Sequence, residues 1–216
     1  MTTSPARAVV IAGGEIHTTP AIGPDDLVIA ADSGYDHAVA LAVPVDLLVG
    51  DLDSISVTGL EHARRTGVEI EEHPADKDNT DLELALRAAI ARSAASIDVY
   101  GGEGGRLGHL LSMALSTAHP SLAAADVTWH TGTGTVRAAT PQHPISFSAA
   151  IGELVTLLPV GTADGVTTTG LRWSLDDATL EQGTSRGVSN EAVSDRVSIE
   201  VDEGAVLVIQ EGPVSR

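Results

Sequence analysis

Short apolar runs alternate with segments of helical period through the first two-thirds of the chain, and this order constrains the fold more than any other feature. The apolar runs are predicted to be buried strands: residues 8–12, 27–31, 45–49 and 97–100. The segments of helical period predict four helices: residues 35–42, 56–66, 82–93 and 107–118. This order is typical of βα units, so we expect an α/β domain with a Rossmann-like, mostly parallel sheet and flanking helices.

The pattern changes near residue 136 to alternating apolar residues separated by turn residues. Ile145 and Phe147 alternate with serines, and a mostly apolar run covers residues 154–158. Residues 197–201 and 205–209 flank a Gly-containing turn, which predicts a β-hairpin. We therefore expect an α/β domain over residues 1–135 and an antiparallel β domain over residues 136–216.

The charge of the chain argues against several classes of partner. Its 216 residues include 12 Lys and Arg against 30 Asp and Glu, for a formal net charge of -18. Nucleic acids and anionic membranes attract proteins through Lys and Arg, so we expect neither as a partner. The chain has no Cys, and it has no apolar run near the roughly 20 residues that span a bilayer. We expect a soluble, cytoplasmic protein.

Several common catalytic and nucleotide-binding motifs are missing from the sequence. Neither G-x-x-x-x-G-K-[ST] nor G-x-G-x-x-G occurs, which argues against a P-loop and a dinucleotide fingerprint. Residues 183–187 match G-x-S-x-G, but the last histidine of the chain is His143, so no histidine follows to complete a hydrolase triad. We interpret residues 183–187 as a glycine-rich loop.

Carboxylates lie where predicted strands end and where the third predicted helix begins. Asp32, Asp51 and Asp53 follow strands, and three more surround the start of the helix: Asp76, Asp78 and Asp81. Carboxyl ends of parallel strands meet at one edge of a sheet, and several carboxylates that share a small volume need a cation to neutralise them. Asp51 and Asp53 point the same way along extended backbone and suit Mg²⁺, which takes a few carboxylates together with phosphates. A turn or helix-cap role is the alternative for any one aspartate, and we favour it for Asp36 and Asp76.

Two segments have the composition of a phosphate-binding site. Residues 101–105 (GGEGG) allow backbone amides to approach an anion, and Arg106 follows them at a predicted helix start. Lys77 is the only lysine of the chain and comes shortly before Thr80, which forms a predicted capping box with Glu83.

Six sequence blocks, in order along nearly the whole chain, resemble the thiamine pyrophosphokinase family. They are residues 31–34 (ADSG), 44–54 (PVDLLVGDLDS), 77–83 (KDNTDLE), 105–109 (GRLGH), 170–173 (GLRW) and 188–191 (VSNE). The resemblance implies a homodimer whose active site forms at the subunit interface. It also implies that the C-terminal domain is a β-sandwich-like thiamine-binding domain and that the N-terminal domain is catalytic.

The implied reaction transfers the terminal pyrophosphate of ATP to the hydroxyl of thiamine, which gives thiamine diphosphate and AMP. The residues implied to be catalytic and to bind Mg²⁺ are Asp51, Asp53 and Asp81. The residues implied to contact ATP are Asp32, Lys77, Thr80, Arg106 and His109. The residues implied to contact thiamine are Trp173, Ser189 and Asn190. Asp81 has a second possible role as the base that orients or deprotonates the hydroxyl, and Trp173 has the alternative role of a core aromatic.

The chain departs from the family pattern at two positions. Gly108 stands where the family motif G-R-x-D-H has an aspartate, and Tyr35 stands where an asparagine is usual. Glu103 is a candidate to supply the missing carboxylate. Two alternatives therefore stay open: a non-catalytic or weakened nucleotide- or thiamine-binding member of the same fold, and a phosphotransferase that acts on another small alcohol.

Overall fold

A computed structural model describes residues 7–76 and 78–212 of the chain. These residues divide into two compact units. The first comprises the described residues up to Met113 together with Ala124–Gly132, and the second comprises Ala114–Ala123 together with the described residues from Thr133 onward. No helix within the described ranges is long and apolar enough to cross a membrane.

The first unit is built on a parallel sheet. Its strands are β1 (Arg7–Ile11), β2 (Leu27–Ala31), β3 (Leu47–Gly50), β4 (Glu69–Glu72), β5 (Ser96–Tyr100) and β6 (Asp126–His130). They lie in the order β4-β3-β2-β1-β5-β6, and every pairing between them is parallel. The helices within the described residues are α1 (Gly34–Ala40), α2 (Val57–Thr66), α3 (Asp81–Ala91) and α4 (Leu107–Ser116), with a 3₁₀ helix at Pro120–Leu122. The predicted α/β fold class is confirmed.

The central strands of the first unit are apolar throughout because both of their faces are buried. Val9 of β1 and Val28 of β2 pack in one cluster with Ala38 of α1. Val10 and Ile29 alternate with these residues, point to the opposite face and are fully buried as well. α3 contacts β1, β2 and β3. Burial on two faces is the usual reason why parallel strands have continuous apolar runs, and it explains why these strands are visible in the sequence.

Two strands of the first unit were not predicted from the sequence. β4 has the sequence Glu-Ile-Glu-Glu and is the edge strand of the sheet, so it has no apolar run. β6 alternates buried and more accessible residues instead of presenting a continuous run. Both strands extend the parallel order that the four predicted strands begin.

The second unit consists of antiparallel strands arranged around one long strand. The strands are β7 (Gly134–Ala139), β8 (Ile145–Ser148), β9 (Leu154–Thr169), β10 (Ala178–Leu180), β11 (Asn190–Glu191), β12 (Arg196–Glu200) and β13 (Glu203–Glu211). β9 pairs with β13 and β11 along its first part, with β10 farther on and with β12 at its end. Val155 and Leu157 of β9 share one core with Val197 and Ile199 of β12 and with side chains of β13. The predicted antiparallel C-terminal region is confirmed.

The predicted hairpin over residues 197–209 is wrong. β12 pairs with β8 and the end of β9, whereas β13 pairs with β7 and the first part of β9. The link between them crosses from one ladder to the other: Asp202 N–H donates to the carbonyl of Asp164 at 3.1 Å. Gly204 has a φ of +84°, and a Cβ there would lie 2.4 Å from the Thr162 carbonyl oxygen. The same turn residues suit a hairpin or a change of ladder, and only long-range pairing distinguishes the two.

Candidate functional site

Three aspartates that follow neighbouring strands lie together at the carboxyl edge of the parallel sheet. Asp32 comes directly after β2, and Asp51 and Asp53 come after β3. One carboxylate oxygen from each of the three lies within 4.8 Å of the others. Asp32 is buried, Asp51 is partly buried and Asp53 is exposed, so the cluster runs from the protein interior to solvent. Oxygen donors at this spacing are the kind that hold a hard divalent cation.

Asp32 is the member of this cluster whose pKa is raised. It is 5% exposed, and its Oδ1 accepts a hydrogen bond from Ile55 N–H at 3.2 Å. Burial raises the pKa of Asp32, and the negative charge of Asp81 raises this pKa further. Hydrogen bonding by the Ser54 side chain and by the backbone N–H groups of Ser33 and Ile55 opposes the rise in pKa without cancelling it. A cation at the cluster would favour the ionised form of Asp32.

Asp81 lies beside the three grouped carboxylates. It is the first residue of α3, and its Oδ1 accepts a hydrogen bond from Asp51 N–H at 3.3 Å. Gly50 makes this approach possible, because a Cβ at Gly50 would lie 3.1 Å from Asp32 Cβ and 3.2 Å from Asp81 Oδ1. The predicted set was Asp51, Asp53 and Asp81 with Asp32 nearby. The structure groups Asp32 with the first two and places Asp81 against their backbone.

Local hydrogen bonds shape the loop that carries Asp51 and Asp53. Asp53 N–H donates to Asp51 Oδ1 at 3.3 Å, and Ser54 Oγ donates to Asp53 Oδ1 at 2.8 Å. Leu52, between the two aspartates, has a φ of +62°. Asp36 is different: its carboxylate accepts hydrogen bonds from Ser56 N–H at 2.7 Å and Ser56 Oγ at 2.6 Å. That geometry matches the structural role favoured for Asp36.

Thr80 begins α3 as its N-cap. Its Oγ1 accepts a hydrogen bond from Glu83 N–H at 3.2 Å, as the capping-box pattern predicts. The Glu83 carboxylate accepts hydrogen bonds from Asn79 Nδ2 at 2.7 Å and from Arg87 Nη2 at 2.6 Å. Thr80 thus fixes the start of the helix that carries Asp81. Lys77, the other predicted ATP contact in this segment, lies outside the described residues.

The glycine-rich segment 101–105 is held in place by neighbouring loops. Gly102 N–H donates to the Gly13 carbonyl at 2.6 Å, and the Gly101 carbonyl accepts from Trp129 Nε1 at 2.8 Å. The Glu103 carboxylate accepts from Gly132 N–H at 2.6 Å. This carboxylate is therefore already engaged in holding a loop, which weakens the idea that Glu103 replaces the missing carboxylate of the motif.

Arg106 and His109 lie at the beginning of α4 and contact each other. Arg106 Nη2 lies 2.6 Å from His109 Nε2, within hydrogen-bond distance. Both side chains are exposed. A Cβ built at Gly108 would meet none of the described atoms within 4 Å. Tyr35 is 2% exposed, and its hydroxyl lies 3.0 Å from His62 Nδ1, so its side chain belongs to the core.

A cavity of about 370 Å³ opens in the second unit between the segments 173–175 and 186–190. Trp173, Arg186 and Asn190 are among its lining residues, and the volume falls within the usual range for a small-molecule site. Trp173 is 59% exposed, which is evidence against its alternative role as a core aromatic. Arg172 lies over the Trp173 ring at 5.6 Å and pairs with Glu191 at 2.6 Å.

Asn190 holds Trp173 in place through the peptide backbone. It is 2% exposed, its Oδ1 accepts from Trp173 N–H at 3.1 Å, and its Nδ2 donates to the Trp173 carbonyl at 2.8 Å. Ser189 has a φ of +54°, and its N–H donates to Thr156 Oγ1 at 3.0 Å. Sequence reasoning missed Arg186, although it lies just before the matched block 188–191 and could have been found from that position.

Fold and geometry define a protein of two units. One is a parallel α/β unit with a carboxylate cluster at its strand ends, and the other is an antiparallel β unit with a ligand-sized pocket. Residues 21–126 match the model of the thiamin pyrophosphokinase catalytic domain, and residues 142–206 match the model of the thiamin pyrophosphokinase vitamin B1 binding domain. The chain belongs to the thiamin pyrophosphokinase family, and the resemblance predicted from its sequence is confirmed.

Individual relatives agree with the family match. A thiamine pyrophosphokinase from Oryza sativa subsp. japonica is 28% identical over 177 residues, which are 76% of this chain but only 65% of the rice protein. A thiamin pyrophosphokinase family protein from Enterococcus faecalis is 25% identical with a TM-score of 0.81, and the match covers 96% of this chain and all of that one. Thiamine pyrophosphokinase from Bacillus subtilis is 20% identical with a TM-score of 0.83 and the same coverage, which is evidence for the fold.

Proposed function

We propose that this chain transfers the pyrophosphoryl group of ATP to the hydroxyl of thiamine in a Mg²⁺-dependent reaction that forms thiamine diphosphate and AMP. The observation that carries the proposal is the cluster of three carboxylates at the sheet edge, within 4.8 Å of one another, in a chain that matches both domains of the family. The relatives from rice and B. subtilis bear the name of this activity.

The donor chemistry of the acidic cluster fits Mg²⁺. Asp51 and Asp53 supply hard oxygen donors that reach solvent, Asp81 lies against their loop, and Asp32 is within reach. We assign Asp51, Asp53 and Asp81 to the metal and the reacting phosphates. When bound, Mg²⁺ supplies positive charge that neutralises the phosphates and stabilises charge on the transferring group. Burial, and after it the charge of Asp81, raises the pKa of Asp32, so a cation is needed to favour its ionised form.

The remaining residues that we assign to ATP are Arg106, His109, Lys77 and Thr80. Arg106, exposed at the start of α4, offers a planar pair of donors to phosphate oxygens, with His109 beside it. Lys77 and Thr80 complete the assigned ATP contacts, and Thr80 also orients Asp81 as the cap of α3. Asp81 either orients the thiamine hydroxyl or accepts its proton, in addition to its role at the metal. Positioning and charge neutralisation supply most of the rate in phosphoryl transfer, so the chain needs no covalent intermediate.

Thiamine is assigned to the pocket of the second unit. The exposed ring of Trp173 offers an aromatic face to the cationic thiazolium, and Asn190 and Ser189 fix the backbone around that ring. The proposal further includes a homodimer with the active site at the subunit interface. It also includes a catalytic domain over residues 1–135, a thiamine-binding domain over residues 136–216, and a cytoplasmic location where ATP is available.

The decisive experiment measures AMP formation from ATP with thiamine and Mg²⁺ each added or omitted. We expect AMP only when both are present, and a loss of at least about 100-fold in Asp51→Asn, because a missing electrostatic group at the transferring centre costs about that much or more. Asp126→Asn, an exposed aspartate at the start of β6, is the charge-matched control and should keep full activity. ATP turnover that is indifferent to thiamine would contradict the proposal, and turnover with another small alcohol would identify the alternative substrate class.

One observation favours a second candidate, a non-catalytic or weakened member of the family. Gly108 leaves open space where the motif has an aspartate, and the nearby Glu103 carboxylate is occupied by Gly132 N–H. Calorimetry that detects binding of thiamine or an ATP analogue in a protein that releases no AMP would support this candidate over the active enzyme.

A further inference from the structure

An arginine lines the pocket that we assign to thiamine. Arg186 borders the same cavity as Trp173 and Asn190, and its Nη1 donates to the Thr179 carbonyl at 3.2 Å. Thiamine carries a positive charge on its thiazolium ring. A guanidinium at the wall of the pocket therefore opposes the ligand that the aromatic face favours, and its presence needs a separate explanation.

The backbone around Arg186 is firmly placed. The Gly187 carbonyl accepts a hydrogen bond from Leu157 N–H at 2.9 Å, and Ser189 N–H donates to Thr156 Oγ1 at 3.0 Å. Gly187 has a φ of +95°, and a Cβ there would lie 2.9 Å from the Leu157 carbonyl oxygen, so only glycine allows this close approach to β9. These contacts fix the residues that follow Arg186, and Arg186 itself is exposed at the border of the pocket.

The charge of Arg186 has no carboxylate partner in the part of the chain that the structure describes. Arg172, which precedes the pocket residue Trp173 in the chain, pairs with Glu191 at 2.6 Å, and the chain has 30 acidic residues against 12 basic ones. Because no described carboxylate neutralises it, the guanidinium of Arg186 at this cavity is available to an anionic ligand. Its planar set of donors matches the oxygens of a phosphate group.

We propose that Arg186 is a specificity-determining residue that binds phosphate oxygens of the phosphorylated product, so that the pocket holds thiamine diphosphate more tightly than thiamine. This inference rests on the proposed function, since it places the organic part of both ligands against Trp173. The product then competes with the substrate for the pocket, and its release depends on the guanidinium–phosphate contact.

Calorimetry of the full chain tests the inference directly. Thiamine and thiamine diphosphate are titrated separately in EDTA, which removes divalent cations and keeps the acidic cluster from binding the diphosphate through a metal. We expect the Kd of thiamine diphosphate to rise about ten-fold in Arg186→Gln, or about 1.4 kcal/mol, while the Kd of thiamine stays constant or falls. Arg186→Lys keeps the charge without the planar fork and should recover part of the preference. Raising the salt concentration should weaken only the diphosphate in the unchanged protein.

Arg196→Gln is the matched control, because Arg196 is an exposed arginine of the same unit whose Nε donates to Ser146 Oγ. It should change neither Kd, and circular dichroism of all variants checks that they fold. Equal changes for both ligands in Arg186→Gln, or no change for either, would overturn the inference while leaving the proposed function intact. Failure of the unchanged protein to bind either ligand would overturn the proposed function and this inference together.

Discussion

Gly50 gives the sharpest test of how the acidic cluster is assembled. Its φ is +155°, and a Cβ would stand 3.1 Å from Asp32 Cβ and 3.2 Å from Asp81 Oδ1. In Gly50→Ala the backbone conformation costs about 1–3 kcal/mol, because residues with a side chain rarely adopt this φ. The crowding against two carboxylate side chains costs about 1–3 kcal/mol more. We therefore expect the free energy of unfolding to fall by about 2–6 kcal/mol, a loss that most domains of ordinary stability survive.

Gly67→Ala is the control for a glycine with positive φ that has no crowding around it. Gly67 ends α2 with a φ of +78°, and a Cβ there would meet none of the described atoms within 4 Å. This variant should lose only the backbone part, about 1–2 kcal/mol. Urea unfolding followed by circular dichroism measures both variants, with the slope against denaturant unchanged. Equal losses in the two variants would refute the crowding argument.

A second measurement connects Gly50 to the cation. If the carboxylates hold Mg²⁺, the ion raises the melting temperature of the unchanged protein, because it binds only the folded state. Gly50→Ala displaces Asp81 or Asp32 and should abolish most of this rise, whereas Gly67→Ala should keep it. A full Mg²⁺ shift in Gly50→Ala would show that the cluster does not depend on the close approach at this glycine.

Two further predictions concern the same edge of the sheet. Since burial and Asp81 raise the pKa of Asp32, the stabilising effect of protonated Asp32 is present at low pH and is lost as pH rises through the folded-state pKa. In EDTA, the free energy of unfolding of Asp32→Asn should therefore rise relative to that of the natural sequence as pH rises through the folded-state pKa of Asp32. The opposite trend would show that the pKa of Asp32 is not raised in the folded protein. Gly108→Asp enters open space, so it should alter stability by less than about 0.5 kcal/mol and raise the rate of AMP formation. An unchanged rate would mean that the chain works without that carboxylate.

The sequence predicts the elements of the first unit well because their signals are local. The strand predicted at residues 27–31 is found as β2 (Leu27–Ala31), and Thr80 caps α3 as its pattern requires. The helix predicted at residues 56–66 is found as α2 (Val57–Thr66), which Gly67 ends with a φ of +78°. By contrast, β4 has no apolar run, and the link between β12 and β13 changes ladders. Strand pairing is decided by contacts between distant residues, which a local pattern does not contain.

In the candidate site, too, features that follow from local patterns could be predicted, and features that depend on contacts between distant residues could not. The meeting of Asp32 with Asp51 and Asp53 could be predicted, because parallel strands bring their carboxyl ends to one edge. The sequence could not predict that Asp32 joins the grouped carboxylates while Asp81 lies against the backbone of Asp51, because this arrangement depends on the absence of a side chain at Gly50. The use of the Asn190 amide to hold Trp173 depends on a contact across 17 residues. The catalytic and ligand-binding roles of these residues stay predictions.

The position of β13 in the second unit has a consequence for how this unit folds. β13 (Glu203–Glu211) is the last described strand in chain order, yet it pairs with β7, the first strand of the unit. It also pairs with β9, which in turn pairs with β10, β11 and β12. The two longest ladders of the unit therefore stay incomplete during synthesis until the segment through Glu211 has left the ribosome. Loop closure over such separations is slow, so the unit should fold late and in one cooperative step. Amide protons of β9 should then exchange with solvent only through that global opening.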